Sequence, residues 1–253
     1  MKISVVTAVF NRVDTIADAL RSVDAQSFPN VEHIIQDGGS EDGTLEVIQN
    51  YHGSSRKLVS KPDSGIYDAI NRGISRASGD IIGLMHSDDF FAHDAVLERV
   101  AEVLQNAEVD GVYGDLDYVS AVDTNKVVRY WRSEPYRRDL LARGWMPPHP
   151  TLYLRREVFV RWGLYDTSMR IAADYEAMLR YLVKGNIRLA YIPDVLVKMR
   201  VGGESNRSLA RIIKKSREDY IALQRYKVGG VNTLLAKNFS KLEQFLHRKG
   251  ASK

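Results

Sequence analysis

The 253 residues of the chain include no cysteine and no long hydrophobic run. Without cysteine, disulfide bonds, thiolate catalysis and cysteine-based zinc sites are excluded, so any metal ion must be held by oxygen ligands or histidine. No apolar stretch approaches the roughly 20 residues that span a bilayer, and the opening MKISVVTAVFNR turns polar too early for a signal peptide. We therefore expect a soluble, cytoplasmic protein.

Charge is unevenly distributed along the chain. Residues 205–253 hold 12 Lys/Arg against 3 Asp/Glu, whereas residues 1–204 hold 24 against 29. A slightly acidic body argues against nucleic-acid binding, and the basic tail favours contact with an anionic surface.

Strands and helices are predicted to alternate through the first hundred residues. This alternation favours right-handed crossovers and a mostly parallel, doubly wound, Rossmann-like α/β sheet. The predicted strands are 2–9, 31–37, 56–61 and 79–87, and the predicted helices are 13–26, 41–51, 65–78 and 94–107.

The second half of the chain is less regular. Strands are predicted at 111–120 and 126–131, a loop and strand at 146–159, a helix at 172–185 and one or two strands at 187–200. No linker or repeat precedes residue 204, so we expect a single mixed α/β domain over 1–204 and a basic helical tail over 205–253.

Polar residues gather where the predicted parallel strands end. Ligands bind beyond the carboxyl ends of such strands, which would bring 7–12, 37–40, 61–63 and 87–89 to one crevice. The first turn, AVFNRVD, contains no glycine, which disfavours an NAD or FAD site, and a P-loop is also absent.

Two adjacent acids, Asp88 and Asp89, follow the fourth predicted strand. Mg²⁺ or Mn²⁺ is commonly held by one or two carboxylates together with the oxygens of a substrate diphosphate. The alternative is that Asp88 caps a turn and Asp89 is simply solvated. Asp37, at the end of the second strand, suits a bond to a ribose hydroxyl or a base, or equally the shaping of a glycine-rich turn.

Five segments in order, TAVFNR, QDGGSEDGT, KPDSGIYDAINRGI, HSDDF and AADYEAMLR, resemble the motifs of the inverting glycosyltransferases of family 2, which have the GT-A fold. The likeness covers roughly residues 1–200 and is greatest to bacterial members that build surface polysaccharides or glycolipids. It implies a nucleotide-sugar-binding half at 1–118 and an acceptor half at 119–204.

The resemblance also implies roles for particular residues. Asp37 would contact the base or ribose, and Asp88 the ribose or donor sugar. Asp89 would bind Mn²⁺ or Mg²⁺, with Asp88 and His149 as further candidates, although Ser87 stands where the family commonly has an acid. The residues expected at the nucleotide sugar are Thr7, Phe10, Arg12, Asp37, Lys61, Asp63 and Asp88.

An inverting transfer needs a carboxylate base that deprotonates the acceptor hydroxyl, and the resemblance assigns it to Asp174. Ala173 stands where the family often has Glu, so Glu176 is the second candidate. Alternatively, Asp174 only favours the start of a helix.

One histidine and three aromatic residues have open roles. By resemblance, His149 faces the donor phosphates or the acceptor, or else it is a structural histidine. Trp145, Phe90 and Tyr67 suit stacking on a sugar or base, or packing in the core.

Residues 231–249 form a predicted amphipathic, cationic helix. It has Leu234 and Leu235 on one side and Lys237 and Lys241 on another. We expect it to rest on an anionic membrane, or to pack on the catalytic domain or a second copy of the chain.

These observations predict a metal-dependent inverting hexosyltransferase that uses a nucleotide sugar, with UDP favoured and GDP or dTDP open. The acceptor would be a glycan or a polyprenol-linked sugar. The alternative is a non-catalytic sugar-nucleotide-binding subunit of the same fold, since Ser87 and Ala173 both depart from the family pattern.

Overall fold

The computed structural model describes residues 1–53, 56–201 and 209–246, and it describes side chains in these ranges except at 209, 210 and 239–246. Within this part of the chain, nine strands form one sheet with helices on both faces. The strands are β1 (Ile3–Val9), β2 (Val31–Asp37), β3 (Arg56–Ser60), β4 (Ile81–Leu84), β5 (Phe90–Phe91), β6 (Gly111–Val119), β7 (Val127–Trp131), β8 (Tyr153–Arg155) and β9 (Leu189–Arg200). The helices are α1 (Ile16–Asp24), α2 (Thr44–Asn50), α3 (Ile66–Arg76), α4 (Val96–Val103), α5 (Arg156–Trp162), α6 (Ala173–Leu179), α7 (Leu209–Tyr226) and α8 (Val231–Leu246).

The first half of the sheet is parallel, in the order β3, β2, β1, β4, as the alternation of strands and helices predicts. Side chains of β1 alternate between two cores: Val6 packs on the side of α3 and α6, and Val5 packs on the side of α1 and α4. Because both faces are covered, every residue of the strand is buried, including Ser4 and Thr7. The carboxyl ends of these four strands therefore share one edge.

The second half of the sheet is mixed, so the parallel pattern expected from the first hundred residues does not extend into it. β8 runs antiparallel to β4 and β6, and β7 runs antiparallel to β6, whereas β9 is parallel to β6. Residues 120–126 alone join β6 to β7, too few for the crossover helix that a parallel pair requires. The overall mixed α/β sheet agrees with the predicted fold class.

Two local expectations in this half need correction or refinement. Residues 156–159, expected in a loop or strand, open helix α5. The region 187–200 is one 12-residue strand, β9, whose register against β6 shifts next to Pro193. Proline lacks the amide that a regular ladder would use, which explains an irregularity at that point.

The parallel and mixed halves join where β4 meets β8. Gly83 pairs with Tyr153, and a Cβ at Gly83 would lie 2.0 Å from the ring of Tyr153. The tyrosine is fully buried and occupies the space that a side chain at position 83 would need. The junction therefore depends on glycine at this position.

The two C-terminal helices pack on the rest of the molecule. α7 buries Ala222 and Leu223 in the core that α3 and α6 share. Lys237 of α8 is 3% exposed and donates to Asp219 of α7 at 2.7 Å, so its expected place on a solvent-facing basic side is wrong. The predicted boundary at 204/205 lies outside the described residues, as do the side chains of the amphipathic helix from 239 onward. In the described ranges, no helix has the length and apolar character needed to cross a bilayer.

Candidate active site

Asp37 ends β2 and is fully buried. Its carboxylate accepts hydrogen bonds from the amides of Gly39 and Ser40 and from the hydroxyls of Ser40 and Ser60. These donors shape the turn after β2, in agreement with the turn-forming alternative. The contact of Asp37 with a base or ribose stays a prediction.

Phe10 and Asp63 come together over Gly38 at the ends of the first three strands. A Cβ added to Gly38 would lie 2.6 Å from Asp63 Oδ2 and 3.3 Å from a ring carbon of Phe10. Phe10 is 56% exposed, and Lys61 is exposed at the end of β3. An exposed ring beside a carboxylate and an ammonium group offers a stacking face and polar contacts to a nucleotide.

The side chain of Thr7 lies inside the sheet. It is fully buried, and its hydroxyl lies 3.0 Å from Nε2 of His33, where burial lowers the pKa of His33 to about 3. The contact predicted for Thr7 therefore concerns its backbone, and it stays a prediction. Arg12 lies in the loop after β1, where its guanidinium donates to the carbonyl of Asn11 at 2.8 Å.

Asp89 is fully buried, so the alternative of a simply solvated acid is wrong for it. Its Oδ1 accepts the amide of Arg200 at 3.1 Å, and its Oδ2 has no hydrogen-bond partner. Burial and the charge of neighbouring Asp88 raise the pKa of Asp89 well above its usual range. A buried carboxylate oxygen without a donor is suited to a hard cation.

Arg200, at the end of β9, holds the turn that carries these acids, and the sequence did not single it out. Its guanidinium donates to the carbonyl of Asp88 at 2.7 Å, pairs with Asp18 of α1, and lies 5.0 Å from the ring centroid of Phe90. The available signal was a basic residue at the end of a predicted strand. Phe90 is thereby engaged by a cation within the protein.

Asp174 is the second residue of α6 and is partly buried. Its Oδ1 accepts a hydrogen bond from the hydroxyl of Tyr67 at 3.3 Å. Burial acts to raise the pKa of Asp174, but the influence of His149, Lys215 and Lys237 outweighs it and holds this pKa below its usual value. The carboxylate is therefore ionised at neutral pH, as a proton acceptor must be.

Two histidines, His86 and His149, have neighbouring rings. The rings of His86 and His149 are 6.0 Å apart, and His149 Nε2 is 2.9 Å from the hydroxyl of Tyr165. Burial lowers the pKa of His149 to about 4. Burial also lowers the pKa of His86, against the opposing charges of Asp88 and Asp174. The charges of both carboxylates therefore act on His86. In the sequence, the only signal for His86 was its position next to the SDD segment.

The other predicted site residues have structural contacts. Tyr67 stacks on Tyr165 at 5.8 Å between ring centroids, and Trp145 packs against Tyr113 and Tyr136 at 5.6 and 5.5 Å. Trp145 thus belongs to an aromatic cluster.

Among the described residues, no group of three or more His, Asp or Glu is placed to hold a metal, so a cation here would need oxygens from its ligand.

Glu176, the second candidate for the base, is enclosed by other residues. It is 2% exposed, and its carboxylate accepts from Arg180 and Arg225 at 3.1 Å each and from the hydroxyl of Tyr226. Both oxygens are committed to these donors. The geometry therefore favours Asp174 over Glu176 as a base.

The mixed sheet and the acids grouped at its strand ends define a GT-A glycosyltransferase. The chain belongs to glycosyl transferase family 2, whose model matches residues 4–162, and the protein is therefore a glycosyltransferase. It is 33% identical over 182 residues to an uncharacterized glycosyltransferase of Mycobacterium tuberculosis, across 70% of this chain and 68% of that one. It is 28% identical over 208 residues to a PGL/p-HBAD biosynthesis glycosyltransferase of Mycobacterium bovis, across 80% and 78% of the two chains.

Solved structures share the fold at low sequence identity. TarS 1–349 of S. aureus in complex with UDP-GlcNAc superposes with a TM-score of 0.70 at 18% identity, over 95% of this chain and 73% of that one. A mannosyltransferase from Pyrobaculum calidifontis, in complex with GDP-Man and Mn²⁺, gives 0.66 at 17% identity, over 94% and 69%.

Proposed function

We propose that the protein transfers a hexose from a nucleoside diphosphate sugar to a hydroxyl of a glycan or lipid-linked acceptor, with inversion, in bacterial surface polysaccharide or glycolipid synthesis. The observation that carries this proposal is a series of contacts that leads from the acid pair to Asp174. The amide of Asp89 donates to the carbonyl of His86 at 3.1 Å, and the ring of His86 lies 6.0 Å from that of His149. His149 bonds to Tyr165, which stacks on Tyr67, the tyrosine that contacts Asp174. These contacts support a crevice with an acid on the diphosphate side and an ionised carboxylate on the acceptor side.

In this proposal, the donor lies across the ends of β1 to β4. Phe10 stacks on the base, and Asp88 contacts the ribose or donor sugar. A UDP-sugar is favoured, since TarS binds UDP-GlcNAc, and GDP stays open because of the GDP-Man-bound mannosyltransferase. The residues proposed for the nucleotide sugar are Thr7 through its backbone, Phe10, Arg12, Asp37, Lys61, Asp63 and Asp88.

The residues present fit a divalent cation, Mn²⁺ or Mg²⁺. Asp89 Oδ2 is buried without a hydrogen-bond partner, and Asp88 precedes it at the mouth of the crevice. When bound, such a cation neutralises the charge of a diphosphate leaving group as a Lewis acid.

Asp174 accepts the proton of the acceptor hydroxyl as that oxygen attacks the anomeric carbon from the face opposite the diphosphate. A single displacement of this kind inverts the anomeric centre. Tyr67 orients the carboxylate through its hydrogen bond to Oδ1.

The first test is calorimetric binding of UDP, GDP and dTDP, with Mn²⁺ and with chelator, to the wild type and to Asp89→Ala. We expect one nucleotide to bind only with metal and only when Asp89 is present. If Asp89→Ala binds that nucleotide with wild-type affinity in the presence of Mn²⁺, the metal role of Asp89 is wrong.

The second test is Asp174→Asn, assayed with the sugar form of the nucleotide that binds. A lost general base lowers kcat by about 10²- to 10⁴-fold, and nucleotide affinity should stay unchanged. Asp139→Asn, at a position exposed on the surface, is the matched control. Unchanged transfer in Asp174→Asn would reject this base, and a wild type that binds the donor but never transfers the sugar would favour the binding subunit.

An exposed surface of α7 also suits an anionic membrane, in addition to the membrane contact proposed for residues 231–249. Ile213, Tyr220 and Ile221 are exposed, and Lys214 and Arg217 are exposed beside them. Each basic residue near such a surface contributes about 1 kcal/mol. We expect flotation with phosphatidylglycerol vesicles at low salt and not with phosphatidylcholine vesicles; no flotation with either would reject this contact.

A further inference from the structure

The segment that leads into α6 is held by a carboxylate from a distant helix. Glu218 of α7 accepts the amide of Arg170 through Oε1 at 3.0 Å, and the amides of Ile171 and Ala172 through Oε2 at 2.8 and 2.9 Å. Glu218 is 7% exposed. Three consecutive amides thus share one buried side chain.

These amides precede a helix that lacks a cap of its own. Ala172 occupies the N-cap position of α6, and alanine offers no side-chain acceptor. The first amides of a helix need acceptors, and a negative charge at that end also suits the helix dipole. From another part of the chain, Glu218 supplies an acceptor for the amide of the N-cap residue Ala172 and a negative charge near this end, and it also accepts the two amides that precede the helix.

The clamped segment contacts the proposed base at short range. The single hydroxyl proton of Tyr67 is shared between two acceptors, the carbonyl of Ile171 at 2.8 Å and Asp174 Oδ1 at 3.3 Å. Asp174 itself follows Ala172 by two residues. A displacement of residues 170–172 would therefore move both the base and the tyrosine that orients it.

Glu218 is itself fixed by the packing of the two C-terminal helices. Its neighbour Asp219 accepts from Lys237 of α8 at 2.7 Å, and Lys237 Nζ lies 3.1 Å from the ring centroid of Tyr175 in α6. α7 is therefore attached to α8 and to α6 beside the clamp. The carboxylate of Glu218 is held in one orientation toward the segment.

We propose that Glu218 is a positioning residue for transfer: it holds residues 170–172 so that Asp174 faces the acceptor hydroxyl. This role rests on the proposed function, in which Asp174 is the base. Glu218 touches no reacting atom, and it acts through the backbone of residues 170–172.

The nucleotide loop should be little affected by loss of this clamp. Arg170 does donate to the carbonyl of Ser64 at 2.6 Å. The loop has bonds of its own, however, from the Gly65 amide to Asp63 at 2.8 Å and from Arg72 to the carbonyl of Pro62 at 2.9 Å. A loosened clamp should therefore lower kcat and leave nucleotide affinity nearly unchanged.

The experiment compares the full-length wild type with Glu218→Ala, Glu218→Gln and the exposed control Gln224→Ala from the same helix. Its first readout is hydrogen–deuterium exchange of the amides of residues 170–172, which requires no substrate. We expect exchange to be about tenfold faster or more in Glu218→Ala. Glu218→Gln should give an intermediate rate because its amide oxygen still accepts, and Gln224→Ala should match the wild type.

The second readout is kinetic. Misplacement of a catalytic group by about 1 Å costs on the order of 10²-fold, so we expect kcat to fall about 10- to 100-fold in Glu218→Ala, with UDP affinity within about twofold and a smaller fall in Glu218→Gln. If the amides of residues 170–172 exchanged at the wild-type rate in Glu218→Ala, Glu218 would not be what holds this segment. Faster exchange with unchanged kcat would overturn positioning, whereas absent transfer in the wild type would contradict the proposed function and leave the exchange result standing.

Discussion

On the nucleotide side of the crevice, Asp37 accepts hydrogen bonds from Gly39, Ser40 and Ser60, which belong to its own turn and to the adjacent strand. On the opposite side, Asp174 accepts from Tyr67, more than a hundred residues away, and the segment before it depends on Glu218. The side of the crevice that carries Asp37, here the nucleotide wall, is thus held by local donors. The side that carries Asp174, here the base wall, is held by contacts between distant parts of the chain. The base wall should therefore respond to changes in the C-terminal helices that leave the nucleotide wall intact.

The largest expected effect comes from Lys237→Met, which leaves Asp219 buried without its counter-charge. Breaking a buried ion pair in this way costs about 3–5 kcal/mol of unfolding free energy. Urea unfolding measures the loss, and the exposed Lys214→Met is the control. The double variant Lys237→Met with Asp219→Leu should recover most of the lost free energy of unfolding. A double variant as unstable as Lys237→Met alone would show that the unpaired charge is not the cause.

Asp37→Ala should weaken the nucleotide wall alone. It removes the acceptor from four donors, and unsatisfied buried groups cost about 1–3 kcal/mol. We expect UDP affinity, measured by calorimetry, to fall about tenfold or more, since 1.4 kcal/mol of distortion suffices for that change. Exchange of the amides of residues 170–172 should stay at the wild-type rate. Faster exchange of these amides would mean that the two walls are not independent. The control is Glu46→Ala, at an exposed position of α2.

Mild acid should have the smallest effect, through His33 beneath the nucleotide wall. Burial lowers its pKa to about 3, so the folded protein binds fewer protons than the unfolded chain. The stability associated with neutral His33 is therefore complete above about pH 6.5 and is lost as pH falls toward 3. At pH 5 the loss is about 2 kcal/mol. Comparing urea unfolding of the wild type and His33→Gln at pH 7.5 and pH 5 tests this; equal pH dependence in both would rule out His33 as its origin.

The contrast between the walls also explains what could be predicted from the sequence. Asp37, Asp63 and Asp89 were identified because each follows a strand of a regular parallel sheet, and the strand ends meet by rule. The burial of the Thr7 side chain was not predicted, because the pattern along β1 does not show that the strand is covered on both faces. A mixed sheet was expected, but the order and directions of the strands in its second half were not predicted, since short strands such as β8 give little periodic signal.

Residues that act over long distances in the sequence gave no signal of the partners that they contact. Arg200, Glu218 and Lys237 belong to a strand end and two basic helices, and each appeared as an ordinary surface residue. Their roles depend on Asp88, the amides of residues 170–172 and Asp219, which only the folded chain brings near them. The interpretation of Asp174 came from resemblance, and the family model itself ends at residue 162.

The contact between Gly83 and Tyr153 has a consequence for the divergence of related chains. A side chain at position 83 requires the loss of the ring at 153, because a Cβ would lie 2.0 Å from it. Single substitutions at position 83 should therefore be eliminated by selection, and any lineage that replaces this glycine should first carry a small residue in place of the tyrosine. The order in which the two positions change is thus constrained.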